Sequence, residues 1–108
     1  MRKTDLLQGT LDMLILKVLR PQPMHGFAIA ERIHQLSSEA LTVEEGSLYP
    51  ALYRMERRGW IKAEWGQSIN NRKAKYYQLT KKGLNQLEVE SDGWERMHTA
   101  ITKVMQSV

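Results

Sequence analysis

Apolar residues recur at three- and four-residue steps through the first half of the chain. Leu11, Leu14, Ile15 and Val18 mark one face of a helix over about residues 8–19, and Pro21 and Pro23 stop it. Phe27, Ala30, Ile33 and Leu36 mark a second helix over about 26–36, with Ile29 at the border of its stripe and Ser37-Ser38 at its end. Leu41-Thr42-Val43 reads as a brief strand. Leu48, Leu52 and Met55 then form the inward stripe of a third helix, with Glu44 and Glu45 at its positive N-terminal end and Gly59 as its stop. Pro50 inside it removes one backbone bond and predicts a slight kink or an irregular first turn.

The period then changes to two. Trp60–Trp65 alternates Ile61, Ala63 and Trp65 with Lys62 and Glu64, and Lys73–Leu79 reads as a second strand. The stretch from Gly66 to Arg72 between them is turn-forming, and its Asn70 and Asn71 tolerate positive φ. Thr80 is an N-cap for a last helix reaching to Val108, a span of roughly 40 Å at 1.5 Å per residue. Along it Leu84, Ser91, His98 and Met105 are seven apart, as are Leu87, Trp94, Ile101 and Val108. That is an a/d heptad with a polar lapse at Ser91, and Asp92-Gly93 weakens the helix locally.

Three short helices, a hairpin and a long helix are the order of a winged helix-turn-helix, a mainly α (α+β) fold. The expected division is a DNA-binding unit over 1–80 and a C-terminal dimerisation helix over 81–108. The chain of 108 residues is one domain's length.

Charge sharpens this picture. The net charge is +4, yet residues 54–82 carry nine basic and two acidic side chains, net +7, while the flanking segments are both negative. A charge run alone is usually a solvated surface. Here it coincides with the second half of the third helix and with the hairpin, the two elements that would meet DNA. The expected DNA contacts are Ser47, Tyr49, Tyr53, Arg54 and Arg57, off the Leu48/Leu52/Met55 stripe, and Arg72, Lys73 and Lys75 of the wing. Tyr49 is expected to be partly buried and Tyr53 more exposed. Trp60 and Trp65 are expected to pack the hairpin on the helices. Leu87, Trp94, Met97, Ile101, Val104 and Met105 are the expected dimer interface, the two last helices packing together or each packing against the other copy's N-terminal helix through Leu6, Leu7 and Leu11.

The run Gly46-Ser47-Leu48-Tyr49-Pro50-Ala51-Leu52, followed by Arg54-Met55-Glu56, Gly59 and Ile61, resembles the signature of the PadR-like transcriptional regulators. His25-Gly26-Phe27 is similar to that family's step into its second helix, and Lys75–Thr80 with Gly83 to its junction between wing and last helix. The resemblance covers about residues 14–87. It implies a homodimer that binds double-stranded DNA and represses promoters, often releasing DNA when a small molecule binds. Some members bind flat aromatic compounds beside a tryptophan of the last helix, and Trp94 stands at about that place. Two positions and one segment depart from the pattern: Phe27 replaces a common tyrosine, Trp60 a common leucine, and the wing tip Ser68-Ile69-Asn70-Asn71 is not glycine-rich.

Other classes are disfavoured. The chain has no cysteine, so it has neither disulfides nor thiolate metal sites. His25, His34 and His98 lack metal-ligand spacing. His25 is expected to stabilise the turn before the second helix, and His98 an interface. There is no nucleophile motif and no phosphate-cradling glycine loop, so neither an enzyme nor a cofactor is expected. The longest apolar run near the N-terminus, Met13–Leu16, is too short for a signal peptide or a membrane span, which predicts a soluble cytoplasmic protein. The alternative to a DNA-binding regulator is a winged-helix module that binds a protein or RNA through its basic face.

Overall fold

A computed structural model describes residues 8–67 and 70–108. Leu6 and Leu7, and Ser68 and Ile69 of the wing tip, lie outside the described residues. The order of elements is α1 (Gln8–Leu19), β1 (Met24–His25), α2 (Gly26–Leu36), α3 (Glu45–Arg57), β2 (Ile61–Gln67), β3 (Lys73–Leu79) and α4 (Lys81–Met105).

The first helix is the hub. Leu11, Ile15, Leu16, Val18 and Leu19 are all buried, so α1 is apolar on nearly every side and touches α2, α3, α4 and β3. Ile29 and Ile33 of α2 pack on it, with Leu48, Leu52 and Met55 of α3, Ile61, Tyr77 and Leu87. In α2 the buried stripe is Gly26, Ile29 and Ile33 rather than the expected Phe27 and Leu36, both of which are exposed. Gly26 seats against the Tyr49 ring on this buried side: a Cβ at Gly26 would come within 2.8 Å of it.

His25 caps α2, its Nδ1 accepting from the Ala28 N–H at 3.3 Å. Leu41–Val43 is not a strand. It is tied to the end of α2 instead, with the Leu41 N–H donating to Ser37 Oγ and the Leu41 carbonyl 3.0 Å from His34 Nδ1. The third strand is β1, and the antiparallel order is β1-β3-β2, with Met24 opposite Tyr77 and Ile61 opposite Leu79.

Gly59, at φ +79°, ends α3 in a Schellman motif: the Trp60 N–H donates to the Met55 carbonyl and the Gly59 N–H to the Glu56 carbonyl. The start of α4 is sewn to that turn. The Thr80 hydroxyl accepts from the Gly83 N–H at 3.0 Å and lies 2.6 Å from the Gly59 carbonyl oxygen and 2.9 Å from that of Trp60. Gly83 packs so closely on Trp60 that a Cβ would collide with the Trp60 carbonyl oxygen. The helix is continuous through Asp92-Gly93. Its first half lies on α1, and its second half projects away from the body, which gives the molecule its 58 Å long dimension.

Candidate nucleic-acid interface

The inward face of α3 is Leu48, Ala51, Leu52 and Met55. Helical spacing therefore turns Gly46, Tyr49, Pro50, Tyr53 and Arg57 outward, and all five are exposed. Ser47 is exposed beside them. Tyr49 is half-covered where its ring lies against Gly26, and Tyr53 is 62% exposed. Arg57 Nη1 donates to the Tyr53 hydroxyl at 3.2 Å, and its guanidinium carbon is 5.7 Å from the centre of that ring. The next residue, Arg58, lies over the Trp60 ring at 5.1 Å. Tyr53, Arg54, Arg57 and Arg58 surround an open depression of about 450 Å³ that no acidic side chain lines.

Two of the residues expected to meet DNA are held in ion pairs within the chain. Arg54 reaches back to α1 and donates from Nη2 to Asp12 Oδ1 at 2.6 Å. Asp12 is only 3% exposed, and a buried carboxylate needs a cation. Its demand outweighs the pull of solvent on Arg54, which becomes a bridge between α1 and α3. Lys75 shares the inner face of the hairpin with its cross-strand partner Trp65. Its Nζ is 3.3 Å from Glu56 Oε1 and 5.6 Å from the Tyr77 ring centre, so it ties the wing to α3. Arg72 and Lys73 are exposed at the far end of the hairpin. Arg58 was not among the residues expected on this surface. Its place at the C-terminus of a helix whose preceding Arg57 is exposed was the available signal.

The packing of Trp60 is as expected, but Trp65 is 69% exposed. It does point to the inner face of the hairpin, which outruns the helical body at that position. Leu87 is also corrected. It is 4% exposed and belongs to the core, because the first turns of α4 are covered by the chain's own α1. Trp94, Met97, Ile101, Val104 and Met105 are all exposed, and the Trp94 and His98 rings stack with centroids 5.0 Å apart.

Behind the arginines lies a second acid. One carboxyl oxygen of Glu90, on α4, is buried without a hydrogen-bond partner among the described residues. Burial pushes Glu90 above the ordinary glutamate range; a hydrogen bond to the Gln86 side chain lowers it, and the nearby Asp12 charge raises it further. Burial raises Asp12 too, and Arg54, with Arg58, draws it only part of the way back. A carboxyl that is raised in the folded state binds its proton more tightly there than in the unfolded chain. Its contribution to stability is therefore lost as pH rises from the ordinary glutamate value through the raised one. Glu90→Gln should gain stability relative to the wild type across that window. Thermal melts of both proteins at a series of pH values check this, and a pH-independent difference counts against it.

Among the described residues no cluster of side chains has metal-binding geometry, and no helix is long and apolar enough to cross a membrane.

A helix-turn-helix followed by a hairpin, with a cationic outward face on its last short helix, defines a winged-helix protein of the DNA-binding class. Over residues 15–89 the chain matches the transcriptional regulator PadR-like family, and it belongs to that family. Among solved structures it is similar to a transcriptional regulator from Clostridium thermocellum, at 28% identity and a TM-score of 0.83, covering 93% of this chain and 97% of that one. It is also similar to a PadR-like transcriptional regulator from Bacillus cereus, at 30% identity and a TM-score of 0.79, covering 94% of this chain and 97% of the other. A protein from Lysinibacillus sphaericus is 26% identical over 108 residues, 100% of this chain and 99% of its own length. Proteins of this family are DNA-binding regulators of transcription, not enzymes.

Proposed function

We propose that two copies of this chain, paired through the distal half of α4, bind a two-fold symmetric operator and repress the gene beside it. In this reading α3 enters the major groove and the wing lies on the adjacent backbone, so that two copies of α3 about 34–36 Å apart read successive turns of one DNA face. A bound dimer covers that face and excludes other proteins from the promoter. A small aromatic effector entering the apolar seam beside Trp94 would change the spacing and release the DNA.

The observation that carries the reading is the acid-free depression bounded by Tyr53, Arg57 and Arg58 on the outward face of α3. Arginine and tyrosine there can serve both phosphate oxygens and base edges. Arg72 and Lys73, exposed on the wing, extend the cationic surface.

The test is the salt dependence of binding to DNA fragments selected by the wild-type protein. Arg57→Ala, Arg58→Ala and the pair Arg72→Ala/Lys73→Ala should each weaken binding. Each should also flatten the plot of log affinity against log salt, by about one unit for every phosphate no longer neutralised. Arg54→Ala should instead lower thermal stability, because it leaves Asp12 buried without its cation. Slopes unchanged in all the arginine and lysine variants of α3 and the wing would place the DNA face elsewhere.

A further inference from the structure

Three of the exposed aromatic residues of the body converge on one place. Phe27 at the start of α2, Tyr49 on α3 and Trp65 on β2 are far apart in sequence, yet they line one concavity of about 440 Å³ between the wing and the helices. Its volume falls within the roughly 300–1,000 Å³ of small-molecule sites. The cleft exists because the inner face of the hairpin continues past the helical body. Ile61 and Ala63 cover the core, but the next inner residue, Trp65, has no helix beneath it. Tyr77 and Gly26 also line the cleft, and Gly26 lets the Tyr49 ring lie close against the α2 backbone.

The polar groups of the cleft have one sign. No acidic side chain lines it, whereas Lys75 does. The Lys75 ammonium spends one donor on Glu56 and has three in all, so donors remain for a second anion. His25, also in the lining, uses Nδ1 as an acceptor for the cap of α2, which leaves Nε2 as the protonated, donating nitrogen of the neutral ring. A cationic guest would gain from the aromatic faces but would meet the Lys75 ammonium, whose partly exposed pairing with Glu56 offsets its charge only in part. A flat aromatic guest with one anionic group satisfies both features: its ring stacks among Phe27, Tyr49 and Trp65, and its charge meets Lys75.

We infer that the cleft between the wing and α2 is a binding site for a planar aromatic anion, separate from the α4 seam at Trp94. The site stands whether or not the chain represses a promoter. Because Tyr49 and Lys75 join it to α3 and the wing, occupancy would also bear on DNA binding.

The probe is 2-naphthoate, titrated into the full chain by calorimetry, with 2-naphthylmethylammonium as the cationic counterpart. Phe27 and Trp65 are both exposed, so their replacement spares the core. Phe27→Ala and Trp65→Ala should each weaken 2-naphthoate binding by about tenfold, because the guest ring then has one stacking face fewer. Lys75→Met should weaken the anion and not the ammonium compound, and Trp94→Ala should leave the anion's affinity within about twofold. Absence of binding at millimolar 2-naphthoate overturns the site. So does binding that Trp94→Ala removes while the cleft variants retain it, or a wild-type preference for the ammonium compound. The proposal concerning DNA fails separately, on the salt slopes of the arginine and lysine variants.

Discussion

Gly83→Ala is expected to lower stability by about 3 kcal/mol and the melting temperature by roughly 12 °C. In an open helix the same change would stabilise, because alanine is the better helix former by about 1 kcal/mol. The sign is decided by what the new methyl group meets. At Gly83 it meets the Trp60 carbonyl oxygen, a backbone atom held by the Schellman turn of α3 and by the Thr80 hydroxyl. No side chain can swing aside to make room, so α4 must lift from β2 or the turn must distort. Gly93, ten residues further along the same helix, is the internal control. A Cβ there finds only the far end of Arg96, 3.9 Å away, so Gly93→Ala should raise stability by about 0.5–1 kcal/mol. Thermal denaturation of the two variants side by side tests the geometry. Equal shifts of the same sign would refute the close approach at Gly83.

The wild-type chain is expected to sediment as a dimer at micromolar concentration, and Trp94→Ala/Ile101→Asp as a monomer. Trp94, Met97, Ile101 and Val104 follow the three-four spacing of a helix seam, and the chain's own body leaves all four exposed. Burying one such side chain contributes roughly 1.5–3 kcal/mol, and two-fold pairing counts every change twice. The double variant removes a ring and inserts a charge at two symmetric places, so its dissociation constant should rise by about a thousandfold or more. The variant should keep the wild-type fold, because both positions lie beyond the part of α4 that packs on α1. A monomeric wild type, or a dimer indifferent to the double change, would falsify the assignment of pairing to this helix.

Much of the fold was legible in the sequence, because punctuation and period agreed. Pro21 and Pro23 closed α1, Ser37-Ser38 closed α2, and the strand read over Lys73–Leu79 around Tyr76-Tyr77 matches β3 to the residue. What was hidden depended on partners distant in sequence. Arg54 has the helical position of a surface residue, and only the buried Asp12, 42 residues earlier, turns it inward. Lys75 is likewise drawn in by Glu56. Two residues of β1 are too few to show a period, so the strand exists only because β3 offers it a ladder. The seven-residue series Leu87, Trp94 and Ile101 marks one face of α4, yet Leu87 is core and the other two are exposed, because periodicity records a face and not what covers it. Trp65 makes the same point on a strand: alternation gave its side, and the extent of the helical body decided its exposure.

The strand order β1-β3-β2 also constrains how copies of the chain can associate. Among the described residues only β3 has neighbours on both sides, and the other two strands are edges. One edge is two residues long, and the other presents Lys62 and Glu64 at exposed alternate positions. Brevity on one side and charge on the other are the two common ways in which native sheets resist continuation by a foreign strand. The pairing of two copies proposed above therefore relies on side chains of a helix rather than on strand addition, and the wing can lie along a rigid polyanion without becoming a template for aggregation.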